Sequence, residues 1–517
     1  MRIAKLLALL FFFATCCDLS AQRYLKPVFA QASATTIIYG SNFTVLPLAV
    51  PGGRATRQPL VARVYTPAGD TKTDRPLIIY LHTGNFLPFG NNGSCGGTIG
   101  DSSAVEMATR LTKMGYVVAV ANYRTGWNPL APAELSRRFT LINAAYRGVQ
   151  DVRTCIRYFR KSTDTGGNPF GIDPNKIVVF GQGTGGYISM AAAYLNTYNE
   201  ILTTSDPNKY LLPLSATLKV PMVREVYNGD VFGLTGPCIV DAAYNAYTGI
   251  PVGDTLCVPN HIGYASNFNL AVNLGGALGD STWMDLREMP LISFHNPTET
   301  FAPCKTDILN VGTPTGPQPV VEVSGSCDLQ AQANRMGLNK VFNDAAIAAA
   351  NLQLYDKYGT IAKTRSGNLS GFFPFVGPKD NTGSPWEWAG VSAITTALNC
   401  NFNKNMALSY IDTIINYFAP RAVLALNLAV VGTNDINTSI EMQIAPNPAV
   451  DQTVITVPAN YLMKGLDVVD ASGRVVRNVK GINSNTYSLD RANMPRGMYF
   501  IKAYFAEGVV TRRVVFE

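Results

Sequence analysis

The chain has 517 residues, a formal net charge of +7, 47% hydrophobic and 15% charged residues. This length exceeds one small domain, and the composition supports a large buried core. The positive charge is spread without a basic block, which argues against nucleic acid as a partner.

Residues 1–21 read as an export signal. Arg2 and Lys5 precede the apolar run 6–13, and small and polar residues lead to a cut expected after Ala21. No later run is apolar for long enough to span a bilayer, so no transmembrane segment is expected. Residues 36–49 and 60–66 read as strands joined by a turn region, and RPLIIYL at 75–81 as a fully buried strand. His82-Thr83-Gly84-Asn85-Phe86 follows, and then a glycine-rich stretch, 90–100. Asp101 is placed to cap a helix at 102–114. A buried strand is expected at 116–121, a long helix at 137–161, a strand at 176–180 and a helix at 185–197. This alternation predicts an α/β fold with a doubly wound, mostly parallel sheet. In such sheets ligands bind at the carboxyl ends of the strands, where both glycine-rich turns fall.

Residues 200–265 lose the alternation and read as an excursion over the site. Strand character returns at 268–278 and 290–294, and 335–418 read as mainly helical. A composition shift at 431–442 marks a linker between a large domain, 34–430, and a small all-β domain, 443–517, whose short alternating segments predict an Ig-like sandwich. Seven cysteines follow the signal. Cys238 with Cys257 and Cys304 with Cys327 are the local pairings to expect, the odd count leaves a free thiol, and Cys155 reads as a buried one. Neither a metal site nor a cofactor is expected.

The stretch 176–190, KIVVFGQGTGGYISM, is a strand, a glycine-dense turn and a helix. That is the context of a nucleophile elbow, G-x-S-x-G, and Gly183 stands at the serine position. With this turn, residues 36–425 resemble the carboxylesterase and lipase branch of the α/β-hydrolase fold. His82-Thr83-Gly84 resembles the oxyanion loop, Tyr123-Arg124 the step after its strand, and His295-Asn296-Pro297-Thr298-Glu299 the turn bearing the triad acid. The resemblance aligns Glu299 with that acid and implies that His82, Thr83, Gly84, Asn85 and Thr184 frame an oxyanion or binding pocket. Residues 443–517 resemble the C-terminal sorting domain of type IX secretion cargo in Bacteroidetes, on Ala445-Pro446-Asn447-Pro448, the 470–476 segment, Met494-Pro495-Arg496-Gly497 and the basic-apolar end. That resemblance implies handling by the type IX machinery and delivery through the periplasm and outer membrane, either secreted or attached to the surface.

Serine hydrolysis needs a hydroxyl at the elbow, an imidazole to accept its proton and an acid to hold the imidazole. The chain has three histidines, His82, His261 and His295, and none follows Glu299. The expectation is a carboxylesterase-like protein with impaired serine chemistry that binds a small-molecule, ester or glycan ligand or acts as a scaffold. An active ester hydrolase would need a displaced site, with Thr184 as nucleophile, His261 as base and Glu299 as acid. A surface adhesin or matrix protein would leave the pocket idle. Phe86, Trp127, Trp283 and Trp386 are candidate pocket walls.

Overall fold

A computed structural model of the chain describes residues 23–517 except 93–94, 300–301, 314–315, 377–382, 389–399, 402, 429–439, 471–473 and 506–508. The expected export signal and most of the expected linker lie outside the described residues. Among the described residues there are two compact units, one within 23–429 and one within 440–517.

The larger unit is built on an eight-stranded sheet: β1 (Ala32–Thr44), β2 (Thr56–Pro67), β3 (Arg75–Leu81), β4 (Val117–Ala121), β5 (Ile172–Gln182), β6 (Leu270–Leu274), β7 (Leu291–His295) and β8 (Phe372–Pro374). Their spatial order is β1-β2-β4-β3-β5-β6-β7-β8. β2 runs antiparallel to its neighbours β1 and β4, and every pairing from β4 to β8 is parallel. The central strands β3, β4 and β6 are buried along their whole length. Strands covered by helices on both faces require this, and the uninterrupted apolar runs in the sequence reflect it. The helices that position the site are α1 (Ser102–Lys113), α2 (Glu134–Asp164), α3 (Thr184–Tyr194), α4 (Ser326–Met336) and α5 (Lys404–Ala425). This is the α/β-hydrolase architecture, with the elbow at the end of the central strand β5.

Several local expectations change. Asp101 does not cap α1 with its side chain; its carboxylate accepts instead from Gly97 N at 2.6 Å and Thr98 N at 3.0 Å, closing the loop before the helix. The segment 335–418 is helical only in pieces: among the described residues it holds short helices at Asp344–Ala349 and Gly359–Ser366, β8, a strand at Ser384–Trp388 and, at its end as expected, the first part of α5. A hairpin of Asp307–Thr313 and Gly316–Gly325 was not expected from the sequence.

The excursion is fixed to α2 by buried polar side chains. Arg153 donates to the carbonyls of Val231 at 2.7 Å and Leu195 at 2.7 Å. Arg157 donates to Phe232 O at 2.8 Å and Asn260 O at 3.0 Å, and Gln150 to Asn228 O and Asp230 O, both at 2.8 Å. Burial lowers the Arg153 pKa to about 10, which leaves it charged at neutral pH. Arg124 and Asp151 form an ion pair with no solvent exposure, 2.8 Å apart, joining the segment after β4 to the same helix.

Cys304 and Cys327 are bonded, as expected. Cys238 and Cys257 stand opposite each other across a two-stranded antiparallel pair, but as thiols. Cys155 is a fully buried thiol whose pKa is pushed up by burial, which suits a packing role and not a nucleophile.

The smaller unit has two antiparallel sheets. One contains Gln443–Ala445, Gln452–Thr456 and Thr486–Asp490; the other contains Met463–Asp470, Val475–Ser484, Gly497–Tyr504 and Val509–Phe516. Ile455, Leu466, Val468, Ile501 and Phe516 belong to its core. The alternating burial of Gly497–Tyr504 is the period-two pattern read from the sequence.

Candidate active site

β5 ends at Gln182, Gly183 takes φ +55° and ψ −116°, and α3 begins at Thr184. A Cβ added at Gly181 would lie 1.9 Å from the carbonyl oxygen of Gly185, so the turn closes only because position 181 has no side chain. At Gly183 the obstruction comes from the loop after β3. An added Cβ would lie 2.2 Å from Thr83 Oγ1 and 3.0 Å from Thr83 Cβ. The threonine side chain fills the volume that a serine at the elbow apex would enter.

Thr83 follows β3. The loop after it doubles back through positive φ at Gly84, Asn85 and Phe86. The turn is held by Phe86 O, which accepts from Gly126 N at 2.9 Å, and by Asn85 Nδ2, which donates to Asn92 O at 2.7 Å. His82 is buried, with Nδ1 at 2.5 Å from Thr83 O and Nε2 at 3.0 Å from Asn122 Oδ1, and its ring stacks on Tyr123. It does not line the cavity described below and acts as a strut for the loop. The Tyr123 hydroxyl donates to His82 O at 2.9 Å and lies 2.8 Å from Thr184 Oγ1. Burial pushes the Tyr123 phenol well up, so Thr184 is paired with a neutral phenol and has no base beside it.

The acid turn carries an arrangement that sequence spacing did not indicate. His295, at the end of β7, has Nδ1 at 2.8 Å from Ser326 Oγ, and its Nε2 lies 3.0 Å from Ala302 O and 3.5 Å from Glu299 Oε1. Nε2 faces two acceptors, which puts the proton of a neutral ring there, and Ser326 Oγ, with one proton, has both Nδ1 at 2.8 Å and Gly276 O at 3.3 Å as acceptors. Ser326 Oγ also accepts from Asn273 Nδ2 at 2.9 Å, and Glu299 accepts from Ala302 N. A serine, a histidine and a glutamate are thus connected in order. Ser326 and His295 are both completely buried, however, and Ser326 does not reach the cavity. The cluster ties the acid turn to the first residue of α4, next to the Cys304–Cys327 bond. In sequence Ser326 reads only as a helix start after Gly325, and its partners come from β6 and β7.

His261 lies elsewhere. Its Nε2 is 2.8 Å from Tyr39 O, its ring meets Tyr158 edge-on, and it is not among the residues lining the cavity. The structure therefore does not bring Thr184, His261 and Glu299 together. Residues 377–388, where the resemblance would place the triad histidine, contain none and lie partly outside the described residues. Their described part places Glu387 against the elbow: Gln182 Nε2 donates to Glu387 Oε1, and Tyr80 donates to Gln182 Oε1. Burial, reinforced by Asp101, raises the Glu387 pKa to about 8.

Above the elbow is a cavity of about 430 Å³, within the range that holds small organic ligands. Thr83, Asn85, Gly183, Thr184, Glu299 and Ser384 are among its polar lining residues, whereas Gly84, expected in the pocket, is not among the residues that line it. Phe86, Trp127, Leu141, Tyr146, Leu195 and Trp283 contribute to its apolar body. Three of the four expected aromatic walls are present. Trp386 is not a wall; it is fully buried beneath Gly275, which lines the cavity in its place. The excursion contributes Ile201, Tyr210 and Val223, and the unexpected hairpin contributes Val321 and Val323.

Residues 63–229 match the family model described as BD-FAE, and residues 443–517 match the secretion system C-terminal sorting domain. No curated protein matches the chain. Among solved structures, the chain is similar to the butyrate-bound esterase of the planctomycete Thermogutta terrifontis, at 16% identity over 52% of this chain and 74% of that one, with a TM-score of 0.28. It is also similar to a hyperthermophilic esterase from the archaeon Pyrobaculum calidifontis, at 21% identity over 35% of this chain and 45% of that one, with a TM-score of 0.20. The strand order, the elbow and the two matched segments together identify an esterase-like α/β-hydrolase domain followed by a type IX secretion sorting domain, which directs the chain to the cell surface or the extracellular space.

Proposed function

We propose that this exported protein uses an esterase-like pocket to bind a ligand at or beyond the cell surface, without serine-based turnover. The observation that carries this reading is the exchange at the elbow: Gly183 offers no nucleophile, and Thr83 Oγ1 stands where the nucleophile's side chain would begin. The imidazole that would activate a nucleophile is also missing: no histidine follows Glu299 in the chain, and His295 is buried between Ser326 and Ala302. What the site retains is a cavity with backbone and hydroxyl groups in its lining. Loss of triad members typically lowers turnover by about four to six orders of magnitude, leaving binding and oxyanion assistance.

The test is to expose the purified full chain to a fluorophosphonate probe and to short p-nitrophenyl esters. No serine labelling and no turnover above about a thousandth of an ordinary esterase rate are expected. Labelling at any serine, or ordinary turnover, would overturn the reading. The displaced-site alternative has no support at Thr184, whose hydroxyl partner is a neutral phenol and whose proposed base, His261, is bonded to β1.

A further inference from the structure

The elbow has lost its serine, yet a hydroxyl still stands beside its apex. Thr83 lines the cavity and is only 5% exposed. Its Oγ1 has no hydrogen-bond partner among the described residues and, unlike the hydroxyl of Tyr187, is not sealed from solvent. It lies 2.2 Å from where a Cβ on Gly183 would stand, within a few ångströms of the place of a serine hydroxyl. A second donor is close by. Thr184 also lines the cavity and is the first residue of α3, where an N–H has no acceptor within its helix; none occurs elsewhere among the described residues. Tyr123 holds the two residues side by side, with its hydroxyl 3.4 Å from Thr83 O and 2.8 Å from Thr184 Oγ1. Thr184 N is bonded to the carbonyl carbon of Gly183, so covalent geometry keeps it within about 6 Å of Thr83 Oγ1, close enough for one oxygen to accept from both. No lysine, arginine or histidine is among the described lining residues, and the one acid, Glu299, already accepts from Ala302 N.

We propose that the cavity holds an uncharged carbonyl compound, an ester or ketone with an alkyl chain, whose oxygen accepts from Thr83 Oγ1 and Thr184 N and which is released intact. The proposal rests on reading the site as a binding pocket and names its ligand class and its anchor. A carbonyl oxygen has two lone pairs and no proton, so it satisfies both donors. An alcohol in its place accepts from Thr184 N, gives its proton to Thr83 Oγ1 and leaves the threonine proton unpaired. A carboxylate brings a charge that no cation in the lining offsets. Trp127, Leu141, Leu195 and Trp283 give the alkyl chain apolar walls. Thr83 holds the carbonyl and does not attack it, because the ring nitrogens of His82 are engaged with Thr83 O and Asn122 Oδ1 and no base faces the hydroxyl.

The experiment titrates the full chain with 2-nonanone, 2-nonanol and sodium nonanoate at neutral pH. Binding is read by calorimetry and by the fluorescence of Trp127 and Trp283, both in the wall. A ketone cannot be hydrolysed, so its affinity is independent of turnover. 2-Nonanone should bind tightest, 2-nonanol about fivefold more weakly and nonanoate at least about tenfold more weakly. Thr83→Val keeps the shape of the side chain and removes a hydroxyl without a protein partner, so the variant should fold normally and weaken the ketone by about fivefold or more. Thr83→Ser should recover the ketone affinity. The infrared stretch of the ketone, isotope-labelled at its carbonyl carbon, should lie lower on the native chain than on Thr83→Val, a difference that a purely structural threonine would not produce. Alcohol or carboxylate binding as tightly as the ketone, unchanged ketone affinity or stretch in Thr83→Val, or no ketone binding would overturn the proposal. Hydrolysis of methyl octanoate at an ordinary esterase rate would overturn the non-catalytic reading, while the carbonyl anchor is judged by the ketone alone.

Discussion

At the elbow the decisive fact is the approach of two turns that follow different strands. Gly183 sits at φ +55°, ψ −116°, where a side chain is strained, and Thr83 occupies the space a side chain would need. Gly183→Ser should therefore lower folding stability by about 1–3 kcal/mol from backbone strain alone, with overpacking added. Thr83→Ala in the same chain should recover part of the loss, as measured by denaturant unfolding of the single and double variants. Full stability of Gly183→Ser alone would show that Thr83 yields without cost. Gly183 and Glu299 could be located from the sequence because their motifs are contiguous. The placement of Thr83 was not legible, since nothing local specifies which side chain of β3's loop meets the apex of β5's turn. Ser326 was hidden for the same reason: its partners, His295 and Asn273, lie 31 and 53 residues away in sequence.

Among the elements, β3 and β4 were legible almost to the residue because both faces are covered and the apolar runs are continuous, whereas β5 extends beyond 176–180 at both ends and β8 lay in a stretch read as helical. The hairpin of Asp307–Thr313 and Gly316–Gly325 was not, because its sequence carries prolines and glycines that signal a loop. The strand Ser384–Trp388 lay in a stretch read as helical, and it brings Glu387 to the elbow. With a folded pKa of about 8 against an ordinary 4.5, the folded state holds a proton that the unfolded state has released between these values. Stability should then fall as pH rises through that window, by up to about 1.4 kcal/mol per pH unit, and level off above it. Glu387→Gln should flatten the slope. Thermal unfolding across this range checks both outcomes, and an equal slope in the variant would assign the effect to another group.

For the whole molecule, the two units differ in how they are specified. The small unit follows simple alternation, so its strands were readable one by one. In the large unit the excursion has little regular pattern, and its place is set by side chains of α2 that bond its backbone carbonyls. Arg153→Met should cost at least about 2 kcal/mol, since it strands buried acceptors that a charged donor satisfied. Amide exchange should lose its protection around residues 228–234 in that variant; unchanged protection there would mean the arginine does not hold the segment. These bonds also bear on how a molecule gets in and out. The excursion is pinned along its α2 side, so its lifting cannot be the route for a ligand without breaking buried charged bonds. The cavity does reach solvent at Leu130, which lines it and is still 68% exposed.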